Sequence, residues 1–195
     1  MKVVFRVALV LLPVLVLIGC GIILPSQEFE PSGTQFNVTS TINVKRIIGS
    51  TSRFDTSGAN SLDLVGTSTT SGNESDVLPA GLILRSPSSH VAHMIILKDY
   101  TITVPAGHDT IITFGAFDCN STRAAPTNAD TYTIGPVTDN TDLQSIVAIT
   151  KHKHLGSSNV SYVQDVVRYV TDGEALRQSS IDSLNALPEG PTDEP

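Results

Sequence analysis

Between Leu82 and Phe114 the chain carries four short β-favouring runs, and they constrain the fold more than anything else in it. They are Leu82-Ile83-Leu84, Met94-Ile95-Ile96-Leu97, Tyr100-Thr101-Ile102-Thr103-Val104 and Thr110 to Phe114. Short strands at this spacing, bounded by turn residues, predict a sandwich or a barrel-like sheet. Pro105-Ala106-Gly107-His108-Asp109 separates the last two runs and predicts a hairpin between them. Upstream, Phe36, Val38, Ile42 and Val44 alternate with polar neighbours, which predicts a half-buried strand over 36–44. The Ser/Thr/Gly/Asn-rich stretch from Gly49 to Asp76 is broken only by Leu62-Asp63-Leu64-Val65. It reads as a long exposed loop with at most one short strand.

Beyond Cys119 the period changes. Leu143, Ile146, Val147 and Thr150 share one helical face within Thr141 to Lys153, with caps on offer at Thr138, Asp139, Asn140 and Thr141. Val160, Val163, Val166, Val167 and Val170 form the stripe of a second helix over Val160 to Thr171, stopped at Gly173, with Ser161, Asp165 and Arg168 on its outer face. A third amphipathic piece covers Glu174 to Leu187 and ends at Pro188. The expected fold class is therefore α+β: a β-rich sheet followed by two or three short helices. The expected organisation is a leader over residues 1–19, a tether over 20–34, a single domain over 35–187 and a disordered acidic tail over 188–195.

Lys2 and Arg6 begin a basic n-region, Val7 to Ile18 is an apolar run, and Leu17-Ile18-Gly19-Cys20 follows at once. This is the pattern of a secretion signal. The tetrapeptide resembles the lipobox of bacterial lipoproteins, in which the cysteine is cleaved before, linked to diacylglycerol and then N-acylated with a fatty acid such as palmitate. The resemblance implies lipidation at Cys20, cell-envelope localisation outside the cytoplasm, and the membrane as a partner through those acyl chains. The competing reading is an uncleaved anchor helix over Val7 to Leu24, a stretch that just reaches the length of a membrane span but carries Pro13 in its middle.

Loss of the leader removes Lys2 and Arg6 and no acid, so the formal charge of −7 becomes −9. That balance excludes nucleic acid and a polybasic grip on anionic lipid as partners. No serine-hydrolase elbow, zinc-protease motif, phosphate loop or close carboxylate pair stands out, so an enzyme, a cofactor and a small-molecule substrate are not expected. The histidines His90, His93, His108, His152 and His154 read as exposed loop residues rather than metal ligands, because no cysteine or carboxylate cluster accompanies them.

If Cys20 is lipidated, Cys119 remains as a lone thiol in an exported chain. It closes the apolar run Ile111 to Phe117 and precedes the polar turn Asn120-Ser121-Thr122-Arg123. Gln164, 45 residues later, lies at the edge of the valine stripe, beside Val160 and Val167. Two readings of this pair are open. Cys119 is a small buried hydrophobe and Gln164 a boundary residue, or the sulfur and the carboxamide react.

Leu78-Pro79-Ala80-Gly81, Tyr100 to Gly107, Phe117 to Asn120 with Arg123-Ala124-Ala125-Pro126, and Val163-Gln164 ending in Val170-Thr171-Asp172-Gly173 resemble the Cys–Gln thioester domains of bacterial surface proteins and adhesins. The resemblance spans 78–173. It implies an internal thioester between Cys119 and Gln164, and a function in adhesion: covalent attachment to amines on a partner protein or surface. Without that bond, the chain reads as a non-covalent binding or structural envelope lipoprotein. Three positions depart from the family pattern. Asp118 separates the aromatic residue from the cysteine and its charge disfavours a thiolate, Val166 stands in place of alanine, and Arg168 in place of tryptophan.

Overall fold

A computed structural model describes residues 28–51 and 57–190. Its centre is an antiparallel β-barrel. The strands are β1 (Gly33–Gln35), β2 (Ile42–Gly49), β3 (Asn60–Ser68), β4 (Glu74–Leu78), β5 (Leu82–Arg85), β6 (Met94–Ile95), β7 (Tyr100–Val104), β8 (Thr110–Asp118) and β9 (Thr131–Thr138). Hydrogen bonding runs β9-β2-β3-β8-β6-β5, and β5 pairs back onto β9, closing six strands into a ring. Closure removes the exposed edges that an open sheet of this size would present. β1 extends one side of β9, and β4 with β7 forms a separate two-stranded ribbon. Three helices follow: α1 (Thr141–Thr150), α2 (Val160–Thr171) and α3 (Gln178–Asn185).

The continuous apolar runs have a physical reason, because both faces of β5, β6 and β8 are covered. Leu82, Leu84, Met94, Ile96, Phe114 and Ala116 point into the barrel. The alternate residues Ile83, Ile95, Leu97, Phe117 and Cys119 point outward into a second core shared with the helices. α2 supplies Val163, Val166, Val167 and Val170 to that second core, and α1 supplies Leu143 and Ile146. Packing thus keeps a valine-rich segment helical despite its mediocre intrinsic propensity. Asn140 caps α1, its Oδ1 accepting from the Asp142 and Leu143 N–H groups at 3.0 Å. Gly173 ends α2 at φ +94°, a conformation that suits glycine.

The α+β class and the helical span 160–171 are as expected. Several other expectations are overturned. β7 and β8 do not pair as a hairpin: β7 pairs with β4, and β8 takes its ladder from β3, with Leu64 opposite Ile112. The supposed loop over 49–76 contains β3, a nine-residue staple of the barrel whose Leu62 and Leu64 are fully buried, and also the start of β4. The strand expected at 36–44 begins only at Ile42, after a turn at Ser40-Thr41. β9 was not expected; its Tyr132 and Ile134 face the barrel core. α1 is shorter than the periodic stretch, and α3 starts at Gln178 rather than Glu174. The tail is ordered through Gly190, where the Gly190 N–H donates to the His152 carbonyl at 2.7 Å and Lys153 pairs with Glu189. Residues 28–34 of the expected tether are also placed: β1 lies on β9, and Ser32 Oγ donates to Asp139 at 2.6 Å. The expected leader over residues 1–19 and the expected lipidation site Cys20 lie outside the described residues.

Candidate functional site

β8 carries the chain out of the barrel at Asp118, and Cys119 is the first residue past the strand. Strand alternation sends Phe117 and Cys119 to the helix side and Asp118 to the other. Cys119 is fully buried in the second core and is the free cysteine among the described residues. Its N–H donates to the His93 carbonyl at 2.8 Å, which pins the turn.

α2 crosses this turn. Gln164, buried at 5% exposure, turns its carboxamide onto the main chain of Asp118. The Asp118 N–H donates to Gln164 Oε1 at 2.8 Å, and Gln164 Nε2 donates to the Asp118 carbonyl at 2.9 Å. The helix therefore completes the end of β8 as a neighbouring strand would. It also places the carboxamide one residue from the sulfur-bearing residue, across 46 positions of sequence separation from Asp118. The sequence pattern set Gln164 at the edge of the apolar stripe, and the structure draws it inside.

Asp118 is the hub that sequence reasoning missed. Its side chain is 1% exposed; Oδ1 accepts from Asn60 Nδ2 at 2.8 Å, and Oδ2 pairs with the Arg168 guanidinium. Burial raises its carboxyl pKa above the usual value, with the hydrogen bond and charge of Arg168 acting the other way. Arg168 was expected on the outer face of α2. Instead it reaches back over the strand end, one helical turn beyond Gln164, and its buried Nε finds no partner among the described residues. A lone acid beside the cysteine with an arginine four positions after the glutamine was a legible signal for this pair.

The same environment sets the reactivity of Cys119. Burial, and after it the negative charge of Asp118, raises the thiol pKa well above the ordinary cysteine value. A thiol at this position is shielded from water, and its ionisation is disfavoured. Tyr132 donates its hydroxyl to the Ala92 carbonyl at 3.2 Å, and burial is again the main cause that raises its pKa.

The histidines do not assemble. His90, His108, His152 and His154 are exposed, whereas His93 is buried, contrary to expectation. His93 Nδ1 accepts from the Ser86 N–H at 3.0 Å, and burial lowers its pKa. Among the described residues no cluster of three potential metal ligands occurs, and no helix is long and apolar enough to cross a membrane. Comparison with protein-family models, with curated proteins and with solved structures found no match for this chain.

Proposed function

We propose that this chain is a lipid-anchored bacterial cell-envelope protein that attaches to amines on a partner surface through an internal Cys119–Gln164 thioester. The observation that supports the reading is the paired hydrogen bond between the Gln164 carboxamide and the Asp118 main chain, which seats an amide beside the residue bearing the lone thiol. Proximity on rigid elements supplies most of the rate in such reactions. Cys119 Sγ bonds to Gln164 Cδ, the Cδ–Nε2 bond breaks, and the thiol proton leaves with Nε2 as ammonia. In the attachment step a partner amine bonds to Gln164 Cδ, the carbon–sulfur bond breaks, and the amine's proton passes to the sulfur. The products are an amide at position 164 and a free Cys119 thiol. The apolar second core around Cys119 keeps water from hydrolysing the acyl-thiol.

A second reading has its own observation. Both hydrogen-bonding ends of the Gln164 amide are engaged by main chain, and the thiol is held protonated. That arrangement also suits a purely structural clamp in a non-covalent envelope module. Incubating the purified protein with a biotin-linked primary amine separates the two. The attachment reading predicts an adduct mapped to Gln164, with one new titratable thiol per adduct, absent from Cys119→Ala. No adduct under conditions that denature the protein slowly in the presence of the amine refutes it.

A further inference from the structure

The segment entering the barrel, Glu28-Phe29-Glu30-Pro31, lies over the Cys119 turn rather than hanging free. Glu28 pairs with Arg123, which belongs to the loop immediately after Cys119 and whose side chain is only 9% exposed. Phe29 packs against the second core, the cluster that contains Cys119. The Pro31 carbonyl accepts from Arg85 Nη2 at 3.0 Å. Glu30 stands close enough to His93 for its charge to act on the imidazole, and the His93 carbonyl is the acceptor for the Cys119 N–H. The Ala124 N–H donates to the His90 carbonyl at 2.8 Å, so the 120–124 loop and the 90–93 segment are joined. One acid therefore sits on Arg123, a main-chain carbonyl on Arg85, and an aromatic ring on the core that holds the thiol.

The strength of this seat is graded. The Glu28 side chain is 56% exposed, so its pair is open to screening by salt and contributes little by itself. Arg123 is the opposite case: its Nε is already buried without a partner among the described residues, and loss of Glu28 leaves a buried cation uncompensated. The response that relieves that charge is for Arg123 to swing to water and carry the 120–124 loop with it. We infer that Glu28–Pro31 is a strap that holds the Cys119 loop closed, and that unseating it opens the Cys119–Gln164 site to incoming amines. Its use rests on the attachment reading above, in which residues upstream of Glu28 lead to the lipid anchor. A pull along that tether then acts first on Glu28 and Phe29.

Hydrogen exchange on the full chain tests the strap without needing the thioester. The variants are Phe29→Ala and the double change Glu28→Gln with Glu30→Gln. Lys45→Ala, which breaks the distant Lys45–Asp109 pair, serves as control. The strap predicts about tenfold faster exchange in peptides covering 119–126 for Phe29→Ala, several-fold for the double change, and no change in peptides covering β3. Raised salt in the unaltered chain moves the same peptides in the same direction. Unchanged rates in 119–126 overturn the proposal. So does equal acceleration throughout the barrel, which makes Phe29 an ordinary core residue. The intact mass of the same samples reports separately whether ammonia has been lost, so a failed strap and an absent thioester leave different signatures.

Discussion

Removing the Gln164 side chain has a cost that can be worked out from two contacts. Gln164→Ala orphans the Asp118 N–H and carbonyl, both now satisfied at 2.8 and 2.9 Å in a buried setting. Each orphaned main-chain group costs about 1–3 kcal/mol, so the pair amounts to about 2–6 kcal/mol. A thioester adds a second, separable quantity. A covalent link between residues 45 apart removes loop-closure entropy from the unfolded chain worth about 4 kcal/mol. The comparison is therefore made in the Cys119→Ala background, where no thioester forms. Urea unfolding of Cys119→Ala with and without Gln164→Ala gives the hydrogen-bond share. Unaltered protein against Cys119→Ala gives the cross-link, on top of about 1–2 kcal/mol for the lost sulfur packing. The denaturant slope also falls in the cross-linked protein, because its unfolded state exposes less surface. A difference under about 0.5 kcal/mol for Gln164→Ala in that background refutes the claim that the carboxamide holds the end of β8.

Other outcomes follow from neighbouring groups. Asp118→Asn, made together with Gln164→Ala so that the thiol is free on either reading, removes the negative charge that adds to burial in raising the Cys119 pKa. Its labelling by a small thiol reagent at fixed pH rises several-fold. His93 is buried neutral, so the unfolded chain binds a proton more readily than the folded one. Stability is lost as pH falls below the ordinary value of 6.5, by at most about 1.4 kcal/mol per pH unit, and His93→Gln flattens that slope in urea titrations across pH. Gly115→Ala places a Cβ against the Gly58 backbone, where no flexible side chain can give way. Thermal unfolding should show a loss of about 2–3 kcal/mol.

How far the fold was legible depends on where each residue's partner sits. α2 was readable end to end, because its signal is local: a valine stripe at helical spacing and a glycine stop at Gly173. The hairpin was misread because a turn at Pro105–Asp109 shows that the chain reverses, not which strands then pair; β8 bonds to β3, far upstream. β3 was hidden by composition. Its Ser, Thr, Gly and Asn suggested a loop, and only Leu62, Leu64 and Val65 betray the buried face. β9 was masked by Gly135-Pro136, which reads as a breaker. Here the glycine is needed, since a Cβ would stand 2.6 Å from the Ile83 carbonyl oxygen, and Pro136 sits beside the short strand β1. At the site, the Cys119–Gln164 pair was an expectation from the resemblance to thioester domains, whereas the contact in the structure joins Gln164 to the Asp118 main chain. The Asp118–Arg168 pair was passed over because an arginine on a polar helix face ordinarily reaches for solvent.

The central claim is a covalent bond between two named atoms, and the intact mass of the purified, non-reduced chain reads it directly. The account predicts a mass short by one ammonia relative to the sequence of the recovered chain, restored to the full value in Cys119→Ala and in Gln164→Ala after allowing for each substitution. A full mass in the unaltered protein, with Cys119 titrating as one free thiol after unfolding, contradicts it.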